Sequence, residues 1–328
     1  MEPERFGELF SRLESEVKKV IVGHEDVVRK TLIAFFAGGH VLLEGVPCLG
    51  KTLLIKSLSR ALGLSFKRVQ FTPDLMPADI IGTQVLTESD SRREFQFKKG
   101  PIFAHVVLAD EINRATPKTQ SAVLEAMEER QVTVFGETFL LESPFMVLAT
   151  QNPIELEGTY PLPEAQLDRF FFKLLASSPP PEELREILHR TTGETISEAK
   201  HVLSGKGASI IEEAKLLLRQ VLIAPPIEDY VVRLVHATHP AGQKDNSAIP
   251  EVKEYIRFGS SPRGAQAIIL GAKGNALAEG RVHVSYEDVE TVLYPSLRHR
   301  LILNFQAEAE NVSADKIIAA VVEKVTRS

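Results

Sequence analysis

A single cysteine in 328 residues rules out an intrachain disulfide, so packing alone must hold the fold, and a reducing compartment, the cytoplasm, is its simplest home. No stretch reaches the roughly 18 consecutive apolar residues that a bilayer span requires. The opening Met1-Glu2-Pro3-Glu4-Arg5-Phe6 has neither a basic leader nor an apolar signal core, so neither a membrane span nor an export signal is expected. Positive charge is in short supply. With 38 Lys and Arg against 44 Asp and Glu, the net charge is −6 and the pI about 5.9. That balance argues against a dominant duplex-DNA surface and against nucleic acid as a partner, a local basic patch apart. The histidines, His236 and His239 included, lack zinc-type spacing with cysteine and read as structural or surface residues. Internal repeats and low-complexity tracts are also missing. What remains is a chain 44% hydrophobic and 25% charged, long enough to bury a large core and to form two globular domains.

The most informative segment is Gly45-Val46-Pro47-Cys48-Leu49-Gly50-Lys51-Thr52. It fits G-x-x-x-x-G-K-[ST] and follows the apolar run Val41-Leu42-Leu43-Glu44, the place a phosphate-binding loop must occupy between strand and helix. Its glycines let the backbone turn successive N–H groups inward on phosphate oxygens, and the helix over Leu53–Leu62, stopped by Gly63, presents its positive end. Lys51 would reach the β- and γ-phosphates and Thr52 would hold Mg²⁺, so a nucleoside triphosphatase is expected. Cys48 could be a redox-sensitive thiol, since N–H groups nearby would lower its pKa; a neutral spacer is the simpler reading.

Around the loop the periodicity is that of an α/β protein. Phe6, Leu9, Phe10, Leu13, Val17 and Val20 form a helical stripe, and a second helix over Glu25–Ala37 feeds the first strand through Gly38-Gly39. Between the helices Val22-Gly23 belongs to an apolar hinge ahead of the loop, a candidate nucleotide contact. Short β-type runs over Phe66–Phe71, Val106–Ala109, Phe145–Ala149 and Phe170–Leu175 alternate with helices, which implies a mostly parallel sheet with helices on its faces. Two segments break the alternation and read as insertions projecting from it. Ile81–Phe97 looks like a helix interruption with a polar tip, and Gln131–Leu140 alternates around Phe135-Gly136-Glu137 as a hairpin would. Ser177-Ser178-Pro179-Pro180-Pro181 marks a boundary, giving an α/β domain over 1–178 and a helical domain over 179–328. Helices are expected over Glu182–Arg190, Ile210–Val221, Ile227–Thr238, Arg263–Glu279 and Tyr286–Leu297.

Further signatures follow the loop. Val106-Val107-Leu108-Ala109 ends in Asp110-Glu111, which would place Asp110 near Mg²⁺ and let Glu111 polarise the attacking water. Val147-Leu148-Ala149-Thr150-Gln151 ends in Asn152, positioned either to orient that water or simply to start a turn before Pro153. Arg169 falls between a short helix and an aromatic strand, too far round the sheet to reach its own nucleotide. It would either bridge a nearby acid or reach a neighbour's nucleotide as an arginine finger. Ser261 reads as an N-cap with Pro262 in the first turn, so that Arg263 would be presented toward the phosphates or else lie solvated at the surface.

Together these residues resemble the MoxR family of AAA+ ATPases, in the helix-2-insert group that includes magnesium-chelatase ATPase subunits and MCM-type motors. The resemblance runs from about Val20 to beyond Leu297, with one departure: Cys48-Leu49-Gly50 stands where the family usually has Gly-Leu-Ala. It implies ATP and Mg²⁺ as cofactors, an α/β domain followed by a helical lid, and homo-hexameric rings. Its further implications are chaperone-like work on protein clients and partners bearing von Willebrand factor A domains. It assigns Lys51 and Thr52 to phosphate and metal, Asp110 and Glu111 to metal and water, Asn152 as first sensor, Arg169 as finger and Arg263 as second sensor. Two alternatives stay open: a nucleic-acid motor of the MCM type, disfavoured by a Gln131–Leu141 hairpin with no Lys or Arg, and an ATP-binding switch.

Overall fold

The computed structural model describes residues 1–45, 50–89, 92–152, 158–193, 198–203, 205, 207–240 and 249–327. Two helices, α1 (Pro3–Lys18) and α2 (Glu25–Phe36), precede strand β1 (Val41–Gly45), helix α3 (Lys51–Ala61) and strand β2 (Phe66–Gln70). A short helix α4 (Pro77–Ile81) then leads into an antiparallel hairpin, β3 (Gly82–Ser89) and β4 (Arg92–Lys99). Strand β5 (Val106–Asp110), helix α5 (Pro117–Glu129), a second hairpin of β6 (Gln131–Val134) and β7 (Glu137–Leu140), strand β8 (Met146–Gln151), helix α6 (Glu164–Leu167) and strand β9 (Phe172–Ala176) complete the α/β part. Among the described residues eight further helices and two short strands follow, including α7 (Pro181–Thr192), α8 (Gly207–Gln220), α9 (Pro225–Ala237), α10 (Pro250–Tyr255), α11 (Pro262–Ala278) and α12 (Tyr286–Leu297).

The central sheet has the order β2-β5-β8-β1-β9, and all its pairings are parallel. Val106–Ala109 and Met146–Ala149 are fully buried because helices cover both faces, which is why these strands read as unbroken apolar runs. One core lies between the sheet and α5 with the hairpins; the other joins the opposite face to α1, α2, α3 and the C-terminal helices. The helices after Pro181 therefore do not hang from a linker: they share a core with the first two helices and β9. Helix α11 makes this possible through small residues. A Cβ on Gly271 would lie 2.8 Å from the Phe172 ring and one on Gly274 2.9 Å from Ile33, so glycine permits the close approach to β9 and α2.

The expected strands and helices are present, with ends shifted by a few residues. The helix interruption at Ile81 is the short α4, ending at Gly82 with φ +99°, and what interrupts it is a hairpin. At the tip of the second hairpin both Phe135 (φ 51°) and Gly136 (φ 85°) are left-handed, the combination that two-residue hairpin turns require. Stacked rings of Phe97 and Phe139, 4.2 Å apart, tie the two hairpins together. Sequence periodicity missed α10 and a C-terminal helix over Ala314–Lys324.

Candidate active site

Parallel strands bring their carboxyl ends to one edge, and the order of the sheet sets β1, β8 and β5 side by side there. Gly50, with φ +68°, sits at the start of α3 in a conformation that favours glycine. Beside it the Lys51 ammonium donates to the carbonyls of Gly45, 2.5 Å, and Gln151, 3.5 Å. Burial pushes its pKa down, offset in part by Asp110, Glu111 and Glu44. No carboxylate among the described residues stands within ion-pair distance of it, which leaves a half-buried cation suited to an anionic ligand. Thr52 follows in the first turn of α3. Val46, Pro47, Cys48 and Leu49 lie outside the described residues.

The acidic pair is held by neighbours that sequence reading overlooked. Asp110 Oδ1 accepts from the Thr150 hydroxyl at 2.6 Å, and that same hydroxyl accepts from the Glu111 N–H at 2.8 Å. The relay locks the ends of β5 and β8 together. Asp110 Oδ2 accepts from Arg68 at 2.7 Å. Glu111 turns out of the strand with φ 56°, and its Oε2 accepts from Gln70 and from Arg114, each at 2.9 Å. Gln70 is the residue in register with Asp110 across β2 and β5, a placement only the strand order reveals. Asn152, buried to 6% exposure, follows β8 at the same edge.

Gly23 lies against α7. A Cβ on Gly23 would meet the Glu183 carboxylate at 2.0 Å, and Glu183 belongs to the first turn of α7, the helix that follows the carboxyl end of β9. Arg190 of α7 fastens the hinge by donating to the carbonyls of Lys18 and Lys19 at 3.0 and 2.8 Å.

The two arginines sit elsewhere. Phe171 N donates to His40 O at 2.8 Å, so Arg169 stands at the amino end of β9, beside the amino end of β1. At about 3.3 Å per residue the five residues of β1 separate it from the Lys51 edge by on the order of 15 Å. Arg169 Nε pairs with Glu128 Oε2 at 2.8 Å, and its Nη1 donates to Leu124 O at 3.0 Å. Arg263, expected toward the phosphates, is found here instead: its Nη2 pairs with the other oxygen of Glu128, and its Nη1 lies 3.5 Å from Asp168. The expected cap holds, since Ser261 Oγ accepts from Arg263 N at 3.2 Å. That hydroxyl also donates to Asp168 at 2.7 Å.

Arg300, missed in the sequence, stitches this region together. It is 6% exposed, and burial lowers its pKa to about 10 against the pull of Asp168. Its Nε donates to Asp168 Oδ1 at 2.9 Å and its Nη2 to Phe170 O at 2.6 Å. Neighbouring His299 donates to the same carbonyl at 2.9 Å. The segment bearing Arg169 is thus bonded directly to the end of α12.

Known proteins match this arrangement. The profile of the "ATPase family associated with various cellular activities (AAA)" matches residues 40–172, and that of the "AAA lid domain" matches residues 250–321. Chaperone MoxR1 of Mycobacterium tuberculosis is 46% identical over 310 residues, covering 94% of this chain and 80% of the relative. YeaC of Bacillus subtilis is 39% identical over 97% of this chain and 94% of its own length, and MoxR of Methylorubrum extorquens is 32% identical over 96% and 94%. The crystal structure of a proposed ATPase from Cytophaga hutchinsonii superposes with a TM-score of 0.90 at 39% identity, over 99% of this chain and 96% of that one. These relatives do not favour the nucleic-acid motor. No helix among the described residues is long and apolar enough to cross a membrane. The chain belongs to the MoxR family of AAA+ ATPases: it binds and hydrolyses ATP, and its function is chaperone-like.

Proposed function

We propose that this ATPase works as a ring of identical subunits, a homo-hexamer in the cytoplasm, in which each subunit holds Mg·ATP at the Lys51 edge and completes the neighbour's site with Arg169 and Arg263. The observation that carries the reading is the separation of the two ends of the sheet: the phosphate-side groups share one edge, and both arginines are bonded to Glu128 at the other. Such an arginine cannot serve its own nucleotide, and fingers supplied in trans accelerate hydrolysis by about 10³ to 10⁵.

Within one subunit Lys51 would bind the β- and γ-phosphates, with Val22, Gly23, Gly45 and the loop 46–50 around the nucleotide. Glu111, held by Gln70 and Arg114, would accept the proton of the attacking water, which Asn152 orients. The hydroxyl of Thr52 and the carboxylate of Asp110 are hard oxygen donors of the kind Mg²⁺ takes; when bound, the metal supplies charge neutralisation at the phosphates. The clients would be proteins, with von Willebrand factor A domain proteins among the partners. Phe135, 73% exposed at a charge-poor hairpin tip, suits apolar contact with polypeptide.

Subunit mixing tests the reading. Arg169→Ala and Lys51→Ala proteins, each inactive alone, should regain measurable phosphate release when combined, because mixed interfaces hold one intact nucleotide site and one intact finger. Wild-type turnover by Arg169→Ala alone, at the same protein concentration, would remove the in-trans role.

A further inference from the structure

We propose that Glu128 is a positioning residue, whose single carboxylate bridges Arg169 and Arg263 into one receptor for the terminal phosphate held by the neighbouring subunit. This rests on the in-trans reading above and adds a residue that neither a nucleotide-binding motif nor the motif-bearing strands contain.

Three observations place the burden on Glu128. First, its two oxygens are divided between two cations: Oε2 takes Arg169 Nε at 2.8 Å, and Oε1 takes Arg263 Nη2. With Leu124 O on Nη1, Arg169 is pinned along two sides. Second, the backbone under Glu128 is fixed from both sides. The carbonyl of Met127 accepts from buried His40 Nε2 at 3.1 Å, and Arg130, at the end of α5 with φ 55°, donates to Gly38 O at 2.6 Å. Third, the ion-paired groups nearly balance: Arg169, Arg263 and Arg300 against Glu128 and Asp168 leave one net positive charge (three minus two), with Glu125 and Glu129 lining the cavity beside Arg169.

Two guanidinium groups held this close repel each other, and the first turn of α11 adds its own positive end to the cluster. A carboxylate between them offsets that repulsion and sets their spacing. Without it the arginines would splay, and the incoming phosphate would have to gather them during reaction, which is the cost that preorganisation avoids. A stabilising role alone is a poor account of the contact: Glu128 is 33% exposed and Arg263 45%, and exposed pairs contribute little to folding.

The test is Glu128→Gln, which keeps shape and one acceptor but removes the charge. We expect kcat to fall about 10- to 100-fold, the scale of an ångström-level misplacement. ATP affinity, ring assembly by sedimentation and melting temperature should stay within error, because the variant's own phosphate edge is untouched. Bridging makes a second demand: in an Arg263→Ala background there is only one cation to hold, so Glu128→Gln should cost less than half as much on a logarithmic scale. Unchanged or raised kcat in Glu128→Gln, an equal penalty in both backgrounds, or loss of assembly or stability would each overturn the proposal. Arg169→Ala is the control that separates the two claims: if it hydrolyses normally the in-trans reading fails, whereas if it is inactive and Glu128→Gln is normal, the bridge alone fails.

Discussion

At the Lys51 edge of the sheet the acidic pair Asp110 and Glu111 hangs on the end of a parallel strand and the turn that follows it; at the Arg169 end, the corresponding groups come from the ends of helices. Asp110, Glu111, Thr150 and Gln151 meet because β5, β8 and β1 are adjacent. Glu128 and Arg263 meet across 135 residues only because α11 packs on β9 and α2. The first kind of site follows from strand order and tolerates drift elsewhere. The second depends on how one helical layer seats on another, so in the proposed ring it is the end where the position of the helical layer would reach the chemistry.

The sharpest break between the two ends is kinetic. Arg169→Ala should lower turnover by about 10³ to 10⁵ while ATP affinity is unchanged, whereas Glu111→Gln should lower it by about 10² to 10⁴ from within the same subunit. Only the former should be complemented by mixing with Lys51→Ala, as read by phosphate release. Complementation of both, or of neither, would erase the distinction between the ends.

Stability should separate them next. Replacing Arg300 by Met leaves Asp168 without its buried partner, and breaking such a pair costs about 3 kcal/mol, or roughly a 4 °C fall in melting temperature for a chain of this size. Calorimetry that found the variant as stable as wild type would show that the arginine end is not held by this pair.

Acid should act on the same end. His40 and His299 are both buried there, and burial holds both pKa values well below 6.5, helped by Arg130 and Lys215 near His40 and by Arg300, Lys173 and Arg298 near His299. Because the folded forms stay neutral, the unfolded chain binds more protons below its ordinary histidine pKa. Stability is therefore present above about pH 6.5 and is lost as pH falls, by about 1.4 kcal/mol per histidine for each unit. Melting temperatures should drop between pH 7.5 and 5.5, and His299→Asn should flatten part of that slope; an unchanged slope would assign the acid sensitivity elsewhere.

The smallest effect on hydrolysis is expected far from both ends. Phe135→Ala should change basal turnover less than about twofold, since its side chain is exposed and touches neither edge, yet it should uncouple hydrolysis from client remodelling. A matching loss of both would place the hairpin in the ATPase machinery.

Much of the nucleotide edge was legible beforehand, because a phosphate loop is a local device. Gly50 needs a left-handed backbone, Lys51 opens the helix, and Asp110 and Glu111 end an apolar strand, each visible within a few residues. Gln70, Arg68 and Arg114 were not legible, since nothing in a polar residue at a strand end says which neighbour it will face. The second hairpin was readable from its alternation and its Phe-Gly turn, while the hairpin after α4 was seen only as an interruption. Arg263 was recognised as a capped first-turn residue, but its direction was not.

What the chain's residues determined by themselves is therefore the set of elements and the chemistry at their ends, because capping, alternation and the Gly-x-x-x-x-Gly-Lys-Thr spacing are short-range constraints. The tertiary structure alone decided which ends meet. Gly271 and Gly274 let α11 sit tightly on Phe172 and Ile33, and that seating carries Arg263 to Glu128 and Arg169 rather than to Lys51. The contact rests on side-chain volumes 99 and 241 residues apart (271 − 172 and 274 − 33), a relation that no local pattern encodes.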